Sequence, residues 1–132
     1  KELAVRALVY LEALGIAHYR DQEAKNLPYG AQRKLEVARA LAAGPAVLLL
    51  DEPAAGMNPQ ETLELMHTIR RIKDEFNLAI ILIEHDMNVV MNLCHRLLVL
   101  SYGKTIAEGT PAEIKNNPTV INAYLGRSAV NA

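Results

Sequence analysis

Apolar residues recur along the chain at helical spacing and at strand spacing, and the two patterns alternate. The first run returns every three or four positions and stops at Gly15, which predicts an amphipathic helix followed by a polar loop over His18 to Asn26. A second helix is predicted from Gly30 to Ala43, and Gly44-Pro45 ends it. Its predicted apolar face consists of four side chains: Leu35, Ala38, Leu41 and Ala42.

Two short apolar runs without polar interruption lie between helices. Ala46 to Leu50 closes on Asp51-Glu52, and Leu78 to Ile83 closes on Glu84-His85. Continuous apolar runs of this length are typical of strands buried on both faces of a parallel sheet. Ligands of such sheets bind beyond the carboxyl ends of the strands, so the polar residues there mark the predicted site.

Helix and turn signals follow each predicted strand. Asn58 is predicted to cap a helix that runs to about Phe76, and Asp86 to cap one that runs to about Cys94. Leu97 to Leu100 is a third predicted strand. Three further signals are a turn at Tyr102-Gly103 into an edge hairpin over Lys104 to Glu108, a capping box at Thr110-Pro111-Ala112-Glu113, and a helix that Pro118 opens and Gly126 closes. Strand, helix, strand, helix, strand is the order of an α/β layer with right-handed crossovers.

Composition narrows the possible functions. The chain has 132 residues and is 51% hydrophobic, which suits one compact domain with a buried core. Its net charge is -1, from 14 basic and 15 acidic residues without a basic cluster, so nucleic acid is not an expected partner. Cys94 is the single cysteine, and we expect a reduced thiol, as in the cytosol. Apolar stretches stay short of the roughly 20 residues of a membrane span, so any membrane link is expected through a partner.

The acidic pair after the first strand has a chemical interpretation. A strand end would hold both carboxylates rigidly, so that Asp51 can orient hydrated Mg²⁺ and Glu52 can polarise an attacking water. The alternative is that these acids only end a strand before a turn at Pro53. Taken alone, the pair leaves both interpretations open.

Two other positions suit phosphate binding. Tyr29-Gly30, placed before a helix expected at Ala31, would aim backbone N–H groups at an anion, although a plain helix start has the same sequence. His85 could donate a hydrogen bond to a γ-phosphate, although a lone histidine there is more often structural. The other histidines, His18, His67 and His95, are assigned no role, and the sequence has no zinc or thiol-nucleophile constellation.

In their order and spacing these segments resemble the ATP-binding cassette (ABC) ATPases of transporters. Leu27 to Gln32 resembles the signature motif, Val47 to Glu52 resembles Walker B with the catalytic glutamate, Ala54 to Asn58 resembles the D-loop, and His85 resembles the switch histidine. The Tyr in the signature, the segment from Asp51 to Pro59 and the tail after Glu108 are most similar to ATPase subunits of branched-chain amino-acid importers. The Gly-x-x-x-x-Gly-Lys-Ser/Thr phosphate loop of the family does not occur in the chain.

The resemblance implies a fold and a division of the chain. The expected class is α/β, a P-loop NTPase-type parallel sheet flanked by helices, with part of the α-helical signature subdomain at the N-terminus. Residues 1–44 would form the helical signature segment, 45–109 the α/β core from Walker B to the switch histidine, and 110–132 a helical tail. Because the chain starts at Lys1 inside a helical pattern and its Walker A half is missing, we interpret it as a fragment.

The resemblance also implies roles for individual residues. Glu52 and His85 would be catalytic, and Asp51 would hold Mg²⁺ through water. Six residues would act on the ATP of a partner subunit, and one belongs to the D-loop: Leu27, Pro28, Tyr29, Gly30, Ala31 and Gln32, with Asn58. Three positions depart from the usual family residues, with Pro28 in place of serine, Ala31 in place of glutamine and Asn58 in place of aspartate.

The implied assembly is a transporter. The expected partners are a second ABC ATPase subunit, membrane permease subunits and, indirectly, a substrate-binding protein, and the expected location is cytoplasmic, on the inner face of the plasma membrane. Two alternatives remain. One is a truncated, non-hydrolytic cassette that completes or regulates a partner's ATP site. The other is a cassette from DNA repair or translation, a class that usually carries long insertions, coiled coils or basic patches, which this sequence lacks.

Overall fold

A computed structural model of the chain describes residues 2–125. The chain divides into two compact units, one ending at Ile83 and one beginning at Glu84. This division neither supports nor contradicts the three predicted segments, which stay a prediction.

Helices and a parallel strand pair form the first unit. Its elements in chain order are α1 (Glu2–Ala13), two 3₁₀ turns (Ala17–Tyr19 and Ala24–Asn26), α2 (Tyr29–Ala42), β1 (Val47–Asp51), α3 (Pro59–Glu75) and β2 (Ala79–Ile83). β1 and β2 pair in parallel, from Val47 opposite Ala79 to Asp51 opposite Ile83. The predicted parallel pair joined by a crossover helix is therefore present.

The core of this unit lies between its helices and one face of the strand pair. Its most buried side chains are Leu14, Leu41, Leu48, Leu65 and Ile72. Two contacts join α3 to α1: the rings of Tyr10 and Phe76 stack at 5.7 Å, and Arg71 Nη2 donates to the Ala13 carbonyl at 2.5 Å. A cation at the last carbonyls of a helix satisfies unpaired acceptors and complements the helix dipole.

The prediction that both strands are buried on both faces is wrong. Their side chains alternate, and Leu48 is 3% exposed whereas Leu49 is 70% exposed. Ile81 and Ile83 are also exposed, at 57% and 60%. An unbroken apolar run predicts two covered faces, but the elements that residues 2–125 supply cover only one face.

The predicted bounds of α2 need a smaller correction. The helix begins at Tyr29, so Tyr29-Gly30 forms its first turn and does not precede it. Its buried residues are Ala31, Val37, Ala38 and Leu41, whereas Ala42 is exposed and Leu35 is half-buried. The predicted stripe was therefore shifted around the helix, because apolar residues occur on more than one side of it and their spacing alone does not choose between those sides.

Helix α3 starts and ends as its capping residues predict. Asn58 Oδ1 accepts from the Glu61 N–H at 2.9 Å, and Glu61 Oε2 accepts from the Asn58 N–H at 2.9 Å, a complete capping box. Pro59 occupies the first turn, where a missing N–H costs no hydrogen bond. The helix ends at Glu75, within one residue of the predicted end.

A hairpin and short helices form the second unit. Its elements are α4 (Met87–Leu93), β3 (Leu97–Ser101), β4 (Lys104–Gly109), α5 (Pro111–Lys115), α6 (Pro118–Val120) and a π-helical turn (Ile121–Leu125). Asp86 caps α4 and a capping box of Thr110 with Glu113 opens α5, as predicted. The predicted helix end at Gly126 lies outside the described residues.

The third predicted strand forms the predicted hairpin. β3 pairs antiparallel with β4, from Leu97 opposite Gly109 to Ser101 opposite Lys104. The predicted hairpin explains this pairing, because Tyr102 and Gly103 both have positive φ, +48° and +75°, and reverse the chain in two residues. Leu97, Ile114 and Val120 form the core of this unit.

Cys94 packs against that core and is half-buried. Burial raises the pKa of its thiol, and the negative charge of Glu84 adds to the shift. A raised pKa disfavours the reactive thiolate form, and the expected reduced state of this cysteine stays a prediction.

Candidate functional site

The predicted acidic pair lies at the carboxyl end of β1. Asp51 is the last residue of the strand, Glu52 follows it, and both are exposed. Glu52 has a φ of +44°, a left-handed conformation that is uncommon for a residue with a side chain. Its N–H donates to the Ile83 carbonyl at 2.8 Å, so the ends of β1 and β2 are joined at this point.

A turn over the residues after Glu52 holds this conformation. The Ala55 N–H donates to the Glu52 carbonyl at 3.1 Å, and the Met57 N–H donates to the Ala54 carbonyl at 3.1 Å. Pro53 is buried, which anchors the start of the turn. The Glu52 backbone is thus fixed on both sides, by β2 and by its own turn, while its carboxylate stays accessible.

Tyr29, in the first turn of α2, contacts the same turn. Its hydroxyl donates to the Ala55 carbonyl at 3.0 Å, across 26 positions of sequence. Its ring lies against Gly56, where an added methyl group would come within 3.3 Å of Tyr29 Cε1. Gly56 also has a φ of +76°, so both its backbone and the close ring favour glycine. The predicted signature and D-loop segments therefore touch within one chain.

Arg33 and Glu36 complete this cluster one turn along α2. Arg33 Nε donates to the Tyr29 hydroxyl at 3.0 Å, and its guanidinium carbon lies 5.5 Å from the Tyr29 ring centroid. Arg33 Nη1 donates to Glu36 Oε2 at 3.0 Å. The Glu36 carboxylate first, and the Tyr29 hydroxyl second, raise the pKa of Arg33 above its ordinary value.

The other predicted signature residues differ in exposure. Leu27 and Ala31 are buried, and Pro28 is the exposed residue that precedes α2. Gln32 Nε2 donates to the Leu27 carbonyl at 2.8 Å, which closes the loop before the helix. The buried Leu27 and Ala31 can therefore anchor the first turn of α2, whereas Pro28 and Tyr29 are accessible to solvent.

The start of α2 lacks a side-chain cap. Pro28 occupies the N-cap position of this 14-residue helix and accepts no hydrogen bond through its side chain, so it leaves the first N–H groups of the helix without that acceptor. A methyl group at Gly30 would lie 3.8 Å from Glu61 Oε1, an ordinary contact, so packing within this unit does not require glycine there. Glu61, which belongs to the cap of α3, therefore places a carboxylate near the start of α2, a proximity that the sequence did not predict.

Asn58, the predicted D-loop residue, serves as the cap of α3. Its side-chain oxygen accepts from the Glu61 N–H, so that oxygen is already engaged within the chain. Gly56 also belongs to the cluster and lies within the predicted D-loop segment, although it was not named as a site residue. Arg33 was not named either, although it stands four positions after Tyr29 on the same helix, a spacing that brings side chains together.

His85 lies two positions beyond the end of β2 and is exposed, in the second unit. Its convergence with Asp51 and Glu52 stays a prediction. Among residues 2–125 no group of three or more His, Cys, Asp or Glu side chains is arranged to hold a metal ion. Mg²⁺ commonly takes one or two carboxylates together with waters and nucleotide phosphates, and the exposed Asp51 fits that kind of ligand.

Two protein families and several known proteins are similar to this chain. Residues 2–55 match a family described as "ABC transporter", and residues 104–130 match one described as "Branched-chain amino acid ATP-binding cassette transporter". LivG of Salmonella typhimurium, a high-affinity branched-chain amino acid transport ATP-binding protein, is 49% identical over 123 residues, which cover 93% of this chain and 48% of LivG. BraF of Pseudomonas aeruginosa, described in the same words, is 42% identical over 97% of this chain and 50% of BraF.

A solved structure shares the fold. The ADP conformation of MJ1267, an ATP-binding cassette of an ABC transporter, superposes with a TM-score of 0.85 at 29% identity, over 96% of this chain and 51% of MJ1267. This likeness confirms the predicted α/β fold of the P-loop NTPase type. The chain spans about half the length of the curated relatives it matches.

Proposed function

Because the chain belongs to the ABC transporter ATPase family, we propose that it is part of an ATP-hydrolysing subunit that energises import of branched-chain or related amino acids. The observation that supports this most is the Glu52 turn, in which an accessible carboxylate at a strand end is held in a strained backbone conformation. A strained backbone conformation persists only where the surrounding structure maintains it, and such conformations cluster at functional sites.

Each carboxylate has its own role in the proposed reaction. Glu52 accepts a proton from the attacking water as general base. Asp51 would hold Mg²⁺ through water, and the ion, when bound, would neutralise charge on the phosphates. His85 donates a hydrogen bond to the γ-phosphate. Positioning and electrostatics of this kind supply most of the catalysis in phosphoryl transfer.

The start of α2 serves a second subunit in this proposal. The N–H groups at Tyr29, Gly30 and Ala31 face the phosphates of the partner's ATP, with the positive end of the helix dipole behind them. Pro28 lacks the hydroxyl of the usual family serine and so weakens the contact with that ATP. A Pro28→Ser variant should lower the ATP concentration needed for half-maximal turnover, and an unchanged ATP dependence would refute this role.

Import requires partners that span the membrane. No helix within residues 2–125 is long and apolar enough to cross a bilayer. From the similarity to LivG and BraF we propose that permease subunits carry the solute and that this subunit sits against them on the cytoplasmic face of the plasma membrane. A substrate-binding protein acts indirectly, and nucleic acid has no part.

The 132-residue chain alone should hydrolyse almost no ATP, because its sequence lacks the loop and lysine that cradle the phosphates. We propose that Asp51 and Glu52 act with a phosphate loop of the same subunit. Glu52-dependent ATP turnover by the purified chain would contradict this. The start of α2, which has no side-chain cap and would act on a partner's ATP, also fits a second candidate, a non-hydrolytic cassette that completes or regulates a partner's site.

Solute uptake by the assembled transporter separates the two candidates. In proteoliposomes that contain the complete subunit, ATP-dependent leucine uptake should fall by roughly 10²- to 10⁴-fold in Glu52→Gln, the usual effect of losing a general base. Glu64→Gln is the matched control, since Glu64 is an exposed acid on α3. Equal uptake in the parent and Glu52→Gln would favour the non-hydrolytic role.

A further inference from the structure

A continuous path of hydrogen bonds joins helix α2 to the backbone of Glu52. Arg33 donates to the Tyr29 hydroxyl at 3.0 Å, and that hydroxyl donates to the Ala55 carbonyl at 3.0 Å. The Ala55 N–H in turn donates to the Glu52 carbonyl at 3.1 Å. Tyr29 is thus the side chain that connects α2 with the turn after the acidic pair.

We propose that Tyr29 is a positioning residue that holds the Glu52 turn, and so the carboxylate of Glu52, in the orientation needed for hydrolysis. This inference rests on the proposed function of Glu52. It gives Tyr29 a task within its own subunit, through the Ala55 carbonyl, that is separate from any contact with a partner's nucleotide.

The turn needs an external support for a physical reason. Glu52 at a φ of +44° and Gly56 at +76° are both in the left-handed region, and the extended or right-handed conformations are favoured for a glutamate. Two backbone bonds fix the Glu52 peptide groups: the Glu52 N–H donates to the Ile83 carbonyl, and the Ala55 N–H donates to the Glu52 carbonyl. The rest of the turn, from Ala54 to Met57, is partly exposed to solvent. A bond to the Ala55 carbonyl therefore restrains the segment at its centre.

The surroundings of Tyr29 make its hydroxyl a good donor. A guanidinium that donates to the phenolic oxygen polarises the O–H bond, and chains of hydrogen bonds strengthen one another. Glu36 holds that guanidinium at 3.0 Å from its other side. Gly56 leaves room for the ring, which fixes the angle from which the hydroxyl approaches. Since Tyr29 is 47% exposed, water competes for the bond and its effect should be moderate.

The test replaces one oxygen. Tyr29→Phe keeps the ring against Gly56 and removes both hydrogen bonds of the hydroxyl. Tyr102→Phe is the matched control, because Tyr102 is 94% exposed at the hairpin turn. In the complete subunit, amide exchange of the Ala55 and Met57 N–H groups should accelerate by about 3- to 10-fold in Tyr29→Phe, as expected for losing one net hydrogen bond, and stay unchanged in Tyr102→Phe.

Kinetics distinguish positioning from nucleotide contact and from general destabilisation. Tyr29→Phe should lower kcat by about 3- to 10-fold with KM for ATP unchanged. In a Glu52→Gln background the same change should have no further effect, because a residue that acts through Glu52 is non-additive with it. An equal additional loss in that background would overturn the proposal, as would a raised KM with normal kcat.

The outcomes also separate this proposal from the proposed function. Unchanged exchange and unchanged kcat in Tyr29→Phe, with turnover that still depends on Glu52, would overturn the role of Tyr29 alone. Turnover that does not depend on Glu52 would overturn the proposed function, and the positioning role with it, whatever the exchange rates show.

Discussion

Glu52 and Tyr102 share a rare backbone conformation for different reasons. Their φ angles are +44° and +48°, yet Tyr102 precedes Gly103 in a two-residue hairpin turn between β3 and β4. Such turns require positive φ, so the fold alone explains Tyr102. Glu52 follows a strand whose partner is parallel, where no hairpin reverses the chain. The topology does not require a positive φ at Glu52, as it does at Tyr102. A strained backbone at a residue with an accessible carboxylate therefore indicates a functional role.

Replacement of each residue by glycine gives the largest expected difference between them. Both changes relieve left-handed strain of roughly 1 kcal/mol, but only Glu52→Gly removes the proposed base. ATP turnover of the complete subunit should fall by about 100-fold or more in Glu52→Gly and stay within a factor of about two in Tyr102→Gly.

Denaturant unfolding of the same two variants supplies the control. Neither variant should be less stable than the parent by more than about 0.5 kcal/mol, because relief of strain offsets the greater flexibility of glycine in the unfolded chain. Loss of turnover that tracked a loss of stability in both variants would remove the contrast between the two turns.

A smaller effect is expected at the end of the Glu52 turn, where Asn58 caps α3. Asn58→Ala should lower the free energy of unfolding by about 1 kcal/mol, because it leaves the Glu61 N–H without its acceptor. Asn58→Asp keeps an acceptor and also restores the usual family residue, so it should be close to neutral. If the Asn58→Ala and Asn58→Asp variants had the same free energy of unfolding in urea, the capping role of Asn58 would be contradicted.

The smallest effect is expected on the pKa of Glu113, which forms the capping box of α5 with Thr110. The Thr110 N–H first, and the Thr110 hydroxyl second, lower the pKa of Glu113 below its ordinary value. A lowered folded pKa means that this contribution to stability is present above the unfolded pKa and is lost as pH falls through the folded pKa. NMR titration of the Glu113 carboxyl should give a midpoint below that in Thr110→Ala, and equal midpoints would contradict the assignment.

Local signals in the sequence predicted the parts of the fold that depend on neighbouring residues. The capping boxes at Asn58 and Thr110 and the turn at Tyr102-Gly103 follow from side chains within three positions of each other. Local signals could not predict that one face of β1 and β2 is exposed, because an apolar run does not specify which elements cover it. The buried face of α2 was misplaced because apolar residues lie on several sides of this helix: Val37 is buried, whereas Leu35 is half-buried and Ala42 is exposed.

The sequence named residues for the candidate site, whose roles stay predictions, but it did not predict the contacts between them. Asp51 and Glu52 could be chosen from the strand pattern and the family resemblance, and they lie at the predicted strand end. The hydrogen bond from Tyr29 to Ala55 joins residues 26 positions apart, and no rule of sequence spacing predicts it. The left-handed φ of Glu52 is likewise a property of the assembled turn, which glutamate itself does not favour.

Single-turnover cleavage of bound ATP tests the central claim, that Glu52 is the general base, most directly. The complete subunit is loaded with ATP, Mg²⁺ is added, and the appearance of ADP is followed without product release. We expect Glu52→Gln to bind ATP normally and to cleave it roughly 10²- to 10⁴-fold more slowly than the parent. Cleavage by Glu52→Gln at the parent rate would contradict the account.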